Sequence, residues 1–204
     1  MDTNQPTAQT NYNPATKAPG IFGGKIPSGV AFALAILLFA LPFSEIKCGS
    51  NALTNKSGLN FALGKDWTAA GGYGKEFMGK MTSKTTGKKE GNTQIFAIAA
   101  LGLGVLGLLL CLAGSKAGAS GAMVAAVLAA GALIALMFDL KKWFNDLLAK
   151  EATEKAKEGA DALGLDKIGD SMNPTLAFTP WFYVAIIAFL AAAFFCYKRM
   201  SAPK

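Results

Sequence analysis

The chain has 204 residues, of which 52% are hydrophobic and 16% charged, with 20 basic and 13 acidic side chains and no histidine. A soluble domain carries nearer to about a quarter charged residues, and the apolar residues here fall in blocks, which points to a multi-pass membrane protein. The missing histidine excludes a His-ligated haem, a Ser-His-Asp or Cys-His catalytic site and any His-containing zinc site.

The basic surplus is made of lysine, with Arg199 the only arginine. Arginine is the preferred bidentate reader of bases and phosphates, so the surplus is read as meeting anionic lipid headgroups and not nucleic acid. Cys111 and Cys196 lie inside apolar runs, where a thiol acts as a small hydrophobe. Cys48 stands in a polar segment without an evident partner, so no disulfide framework is expected, while lipid modification or an intermolecular bond at Cys48 stays open.

Residues 1–24 are a polar N-terminal tail rich in Asn, Thr, Gln, Pro and Ala. They lack an apolar core behind a basic start, so they do not read as a cleavable signal peptide, and by composition they are expected to be disordered alone. A first transmembrane helix is predicted over 25–43, where Pro27 and Ser28 suit a helix start and Pro42 marks the end. Residues 44–94 form a Lys/Gly-rich extramembrane loop with eight lysines (Lys47, Lys56, Lys65, Lys75, Lys80, Lys84, Lys88, Lys89) against four acids (Glu45, Asp66, Glu76, Glu90). Its front half alternates weakly enough to predict a small hairpin, and the rest reads as irregular. Asn55-Lys56-Ser57 fits a glycosylation sequon, which matters only in a eukaryotic secretory setting.

Residues 95–138 are predicted to form a transmembrane helical hairpin, helices 2 and 3, with SKAGAS as the turn and Lys116 as the only charge. The pattern then continues through 139–164, where Leu140, Trp143, Phe144, Leu147, Leu148, Ala152, Ala156, Ala160 and Leu163 recur at helical steps. This amphipathic extension is either continuous with helix 3 or broken near Asp139 and laid on the membrane surface. Glu151 and Lys155 are a favourable i,i+4 pair and Gly164 suits a C-cap. Trp143, Phe144, Leu147 and Leu148 are expected to face a partner. A connector over 165–180 leads to a fourth transmembrane helix over 181–197 and a basic tail over 198–204. Trp181, Tyr183, Tyr197, Lys198 and Arg199 are the expected interfacial anchors.

The expected fold is therefore all-α: four transmembrane helices packed through Gly/Ala stripes, the third extended beyond the membrane. The stripes are Ala100, Gly104 and Gly107 on helix 2, Gly118, Ala122, Ala126 and Ala130 on helix 3, and Ala188 and Ala192 on helix 4. Gly102, Gly104 and Gly107 spell GxGxxG, but they sit inside an apolar span with no acid before Asp139, so they read as packing residues and not as a dinucleotide loop. The spans contain no Asp, Glu, Lys or Arg at their centres, which argues against a pump or an ion-coupled transporter. Asp139 at the end of helix 3 reads as an interfacial acid beside Lys141 and Lys142, and Glu154, Glu158 and Asp161 as a solvated face that fits no calcium loop.

At LPFSEIKCGS followed by SGLNFALG the chain resembles a set of small bacterial membrane proteins without an assigned activity. In these a first span ends in a Leu-Pro-aromatic element, and an outer stretch follows with a lone Cys and a Ser-Gly-x-x-x-Ala-x-Gly segment. The resemblance implies a bacterial inner membrane with the first loop facing outward, and it brings no activity.

Lys25, Lys198, Arg199 and Lys204 flank the termini and favour cytoplasmic termini under the positive-inside rule, while the lysines of the two larger loops vote the other way. The expected function is a non-catalytic membrane subunit, an accessory or scaffolding part of a larger assembly, without a cofactor or a metal. Its partners are the bilayer and other membrane subunits, with homo- or hetero-oligomers both open. Two alternatives are a small oligomeric transporter or channel, for which the spans offer only Ser120 as a polar lining residue, and an envelope protein binding an anionic polymer or lipid through its lysine-rich loop.

Overall fold

A computed structural model of the chain describes residues 25–70, 75, 93–113, 115–157 and 174–201. The tail over 1–24, the second half of the first loop, the Glu151/Lys155 pair, the acidic face from Glu154 to Asp161, the Gly164 cap, the start of the connector and the last residues of the basic tail have side chains or backbone outside those described residues.

Helix α1 spans Lys25–Leu38. It ends five residues earlier than the sequence suggests. The N–H groups of Phe39, Ala40 and Leu41 donate to the carbonyls three residues back at 3.1, 3.1 and 3.0 Å, tightening the last turn. Pro42 then opens an extended strand, because proline disfavours a helical residue before it. At 14 residues, α1 is about 21 Å long, short of the roughly 30 Å of bilayer hydrocarbon.

Strand β1 (Pro42–Cys48) turns back through Gly49 and Ser50 into β2 (Asn51–Ser57). Gly49 takes φ of 60°, which a two-residue hairpin turn demands and a side chain would resist. Ser57 caps the short helix α2 (Gly58–Ala62), accepting a hydrogen bond from the Asn60 N–H at 3.1 Å. Strand β3 (Thr68–Ala69) pairs with β2, and β4 (Pro174–Phe178), far along the chain, pairs with the other edge of β1. The result is a four-stranded antiparallel sheet of order β3-β2-β1-β4.

That sheet corrects the all-α expectation. β1 would present two rows of unpaired backbone groups if left alone, and β2 and β4 supply the partners on either side.

Helix α3 spans Thr93–Leu112, α4 spans Lys116–Lys157 and α5 spans Pro180–Ser201. All three are long and apolar enough to cross a membrane. The turn between α3 and α4 is tighter than SKAGAS suggested, since Lys116 to Ser120 already belong to α4. Ser115 starts that helix, its hydroxyl accepting from the Gly118 N–H at 2.8 Å. α4 runs without a break through Asp139 for 42 residues, about 63 Å, so roughly half of it lies beyond a bilayer core. This is the continuous form of the extension.

The core joins alanine faces to phenylalanine rings. Ala97, Ala100, Ala122, Ala126, Ala129, Ala185, Ala192 and Leu133 are fully buried, as are Phe32, Phe43, Phe182 and Phe189. The rings form a connected column in edge contacts: Phe32 to Phe189 at 6.4 Å, Phe189 to Phe39 at 6.4 Å, Phe39 to Phe43 at 5.0 Å and Phe43 to Phe182 at 5.5 Å. Phe182 then meets Phe178 of β4 at 5.0 Å. Each such pair adds about 0.5–1.5 kcal/mol beyond area burial, so the column couples the helices to the sheet.

Candidate functional site

Two polar constructions stand at opposite ends of this bundle, and each is built from segments distant in sequence.

The first is the cap made by the sheet, α2 and Trp67. Thr179, just before α5, secures it. Its backbone N–H donates to the Phe43 carbonyl at 3.0 Å, and its hydroxyl donates to the Pro42 carbonyl. The register puts Ser44 opposite Lys56, Ile46 opposite Thr54, and Phe178 and Leu176 opposite Ser44 and Ile46. Paired residues share a face, so these six side chains line one side of the sheet. Ser44, Ile46, Thr54 and Lys56 are all buried. The Lys56 ammonium lies 4.7 Å from the Phe61 ring centre and 5.6 Å from that of Trp67, an aromatic seat that offsets part of its desolvation. Among the described residues, the hydroxyls of Ser44 and Thr54 beside it are buried with no hydrogen-bond partner. The opposite face of the sheet is polar: Glu45 and Lys47 form an ion pair at 3.2 Å, and Thr175 is exposed.

The second construction joins the far ends of three helices. Ser28 at the start of α1, Cys111 at the end of α3 and Cys196 near the end of α5 are each wholly buried. The Ser28 Oγ and Cys111 Sγ are 2.9 Å apart. The Arg199 guanidinium donates to the Cys111 carbonyl at 3.0 Å.

The packing residues named from the sequence occupy the interior. Ala100, Gly104, Gly107, Gly118, Ala122, Ala126, Ala130, Ala188 and Ala192 are all buried. A Cβ on Gly104 would stand 3.0 Å from the Phe189 ring, one on Gly107 would collide with the Phe32 ring, and one on Gly118 would come within 2.6 Å of the Leu110 carbonyl oxygen. Gly102, the first glycine of GxGxxG, faces open space. The glycines thus divide by helix face, as packing requires and a phosphate loop would not.

The four residues expected to face a partner are placed differently. Phe144 is buried by the chain itself and Trp143 packs against the core, while Leu147 and Leu148 are half-buried. The α4 extension therefore spends this part of its apolar stripe on its own fold. Of the expected anchors, Trp181, Tyr183, Tyr197 and Lys198 are exposed, whereas Arg199 turns inward to Cys111.

By sequence Lys56 is one of eight lysines of the extramembrane loop, and Cys111 and Cys196 read as separate small hydrophobes of two spans. The Lys56 seat has no local signature, because Phe61 and Trp67 reach it only through the fold of α2 and the segment after it. The cysteines did have a signal. Helices α3 and α5 run in the same direction, and each thiol lies just before the far end of its apolar run, so the two share one level of the bundle.

Comparison of the chain with family models, curated proteins and solved structures finds no match.

Proposed function

We propose that the chain is a non-catalytic integral membrane component, an accessory or scaffolding subunit of a larger bacterial membrane assembly. In this reading it crosses the inner membrane four times, with α1 as the short first span, both termini in the cytoplasm and the cap outside. The resemblance of the Leu41–Gly64 region to small bacterial membrane proteins supports the same placement.

One observation carries the proposal: the cap is a single folded unit built from both extramembrane loops and fused to the spans. Strands 42–48 and 174–178 pair side by side, and the ring column runs from Phe178 down to Phe32. A platform locked to its anchor in this way suits the presentation of a fixed surface to another protein. The engagement of Lys56 with Phe61 and Trp67 and of Lys47 with Glu45 takes these two lysines out of a freely cationic loop. That favours protein contact over binding of an anionic polymer.

Extraction from native membranes into a mild detergent, followed by native mass measurement, tests this. A particle containing the chain together with a defined second polypeptide is expected. A stable 21.2 kDa chain that never travels with another protein contradicts it.

A further inference from the structure

We infer that α2 is a membrane-embedded foot of the cap: it lies in the bilayer leaflet on the cap side, over the end of α1, and its outer face meets lipid acyl chains. This rests on the reading of α1 as a short first span, and it names the part of the chain that fills the remaining thickness while the sheet stands outside.

Two ties fix the position of α2. The Leu59 N–H donates to the Phe39 carbonyl at 2.7 Å, and a Cβ on Gly58 would collide with the rings of both Phe39 and Phe43. On its other side α2 packs on α3, and Gly64, just past α2, stands against the Gln94 side chain. Gln94 is the first residue of the apolar span that runs to Leu112. So α2 sits where one apolar helix ends and the next begins. The 14 residues of α1 fall about 9 Å short of a bilayer core. The five residues of α2 are about 8 Å long and a helix is about 10 Å across, so α2 supplies the missing thickness in either orientation.

Its surface suits that depth. Phe61 and Ala62 turn into the core, while Leu59 and Leu63, four residues apart on the outer face, are 39% and 55% exposed. Leu37, two residues before Phe39, and Ile95, next to Gln94, flank them and are exposed as well. The outer face of α2 thus continues the apolar surface of the spans, which marks lipid as its occupant.

The backbone here is closed on itself. The Leu63 N–H donates to the Leu59 carbonyl and the Lys65 N–H to the Asn60 carbonyl, each at 2.9 Å. Gly64, with φ of 63°, donates its N–H to the Phe61 carbonyl at 3.3 Å, completing a Schellman cap. The carbonyls of Phe39, Pro42 and Phe43, where α1 gives way to the sheet, accept from Leu59 and Thr179. Hydrocarbon offers no water to such groups, so irregular backbone at membrane depth has to find its partners within the protein. Exposed Lys65 and Asp66 and half-buried Trp67 then return the chain to the headgroup layer.

A genetically encoded, environment-sensitive fluorescent residue at position 63 tests this in the full chain, reconstituted in phosphatidylcholine vesicles. Leu63 is exposed, so the substitution displaces nothing in the core. The quenchers are phosphatidylcholine brominated on its acyl chains and aqueous iodide on both sides of the membrane. Position 109 is the lipid control and position 175 the water control. Position 63 is expected to lose emission to brominated lipid, more with bromines near the headgroup than near the chain end, and to be spared by iodide. Quenching by iodide with no effect of brominated lipid overturns the inference by placing α2 in water. Protection from both quenchers overturns it by placing protein over this face. If position 109 also escapes brominated lipid, the membrane-spanning reading fails with it, whereas quenching at 109 without quenching at 63 rejects the foot alone.

Discussion

Thr179 donates its backbone N–H to the Phe43 carbonyl at 3.0 Å, tying the strand that enters the last helix to the strand that leaves the first. Its hydroxyl makes a second bond, to the Pro42 carbonyl. This pair of bonds sits where the sheet meets the helices, directly beside the Phe43–Phe182 ring contact. The cap and the bundle are therefore one mechanical unit at this point.

Thr179→Val keeps the side-chain shape and removes only the hydroxyl bond. It leaves a half-buried Pro42 carbonyl unpaired, which costs about 1–3 kcal/mol. Thermal unfolding in detergent should show the loss as a lower midpoint with the helix content unchanged before the transition. An unshifted midpoint would mean that the hydroxyl bond contributes nothing to the junction.

Alanine substitutions along the GxGxxG run should separate by helix face. Gly107→Ala drives a methyl group into the Phe32 ring and is expected to cost about 1–3 kcal/mol by overpacking. Gly104→Ala should cost less, because Phe189 has only to give by a few tenths of an ångström. Gly102→Ala meets open space and should stay within about 0.5 kcal/mol of the parent protein. The same three proteins measured by reversible unfolding decide the matter, and equal effects at all three positions would contradict the helix packing.

The sheet makes a covalent prediction. Lys47 pairs with Thr175 across β1 and β4, and antiparallel partners have Cα atoms about 4.5–5.5 Å apart, within disulfide range. In a Cys48→Ser background, Lys47→Cys with Thr175→Cys should form an intramolecular disulfide on mild oxidation. Lys47→Cys with Ala113→Cys, at opposite ends of the bundle, should not. Trapping of the second pair instead of the first would break the topology.

Lys56 should be intolerant of charge reversal. Lys56→Glu places a carboxylate against the faces of Phe61 and Trp67 and is expected to cost about 3–5 kcal/mol, the scale of an uncompensated buried charge. Lys56→Met keeps the volume and should cost far less. Trp67 emission, read in a protein with the other two tryptophans replaced by phenylalanine, reports the opening of the cap directly.

The sequence made parts of this molecule readable and hid others for physical reasons. The α3–α4 hairpin and the small-residue faces follow from composition and helical periodicity, which are local, whereas periodicity left open whether α4 runs on through Asp139 or breaks there. The β1–β2 hairpin was visible in the weak alternation before and after Gly49. Strand β4 was not, because Pro-Thr-Leu-Ala-Phe is too short to show a period and its partner Ser44–Cys48 lies in the other loop. The early end of α1 was hidden for a related reason: Leu41, Pro42 and Phe43 read as apolar span residues, while the sheet recruits them. At the candidate site, the burial of Lys56 and the turning of Arg199 toward Cys111 depend on tertiary contacts that no window of sequence contains.

The central claim is that the cap presents a fixed surface to another protein, and a photo-crosslinking residue at position 175 in living membranes tests it most directly. Thr175 is exposed on the polar side of the sheet, and Leu109, exposed on α3, serves as the control inside the span. The account predicts one discrete protein adduct from position 175, lost when Thr179→Val loosens the cap. A correctly folded chain that gives no protein adduct from position 175, and only lipid adducts from position 109, would contradict it.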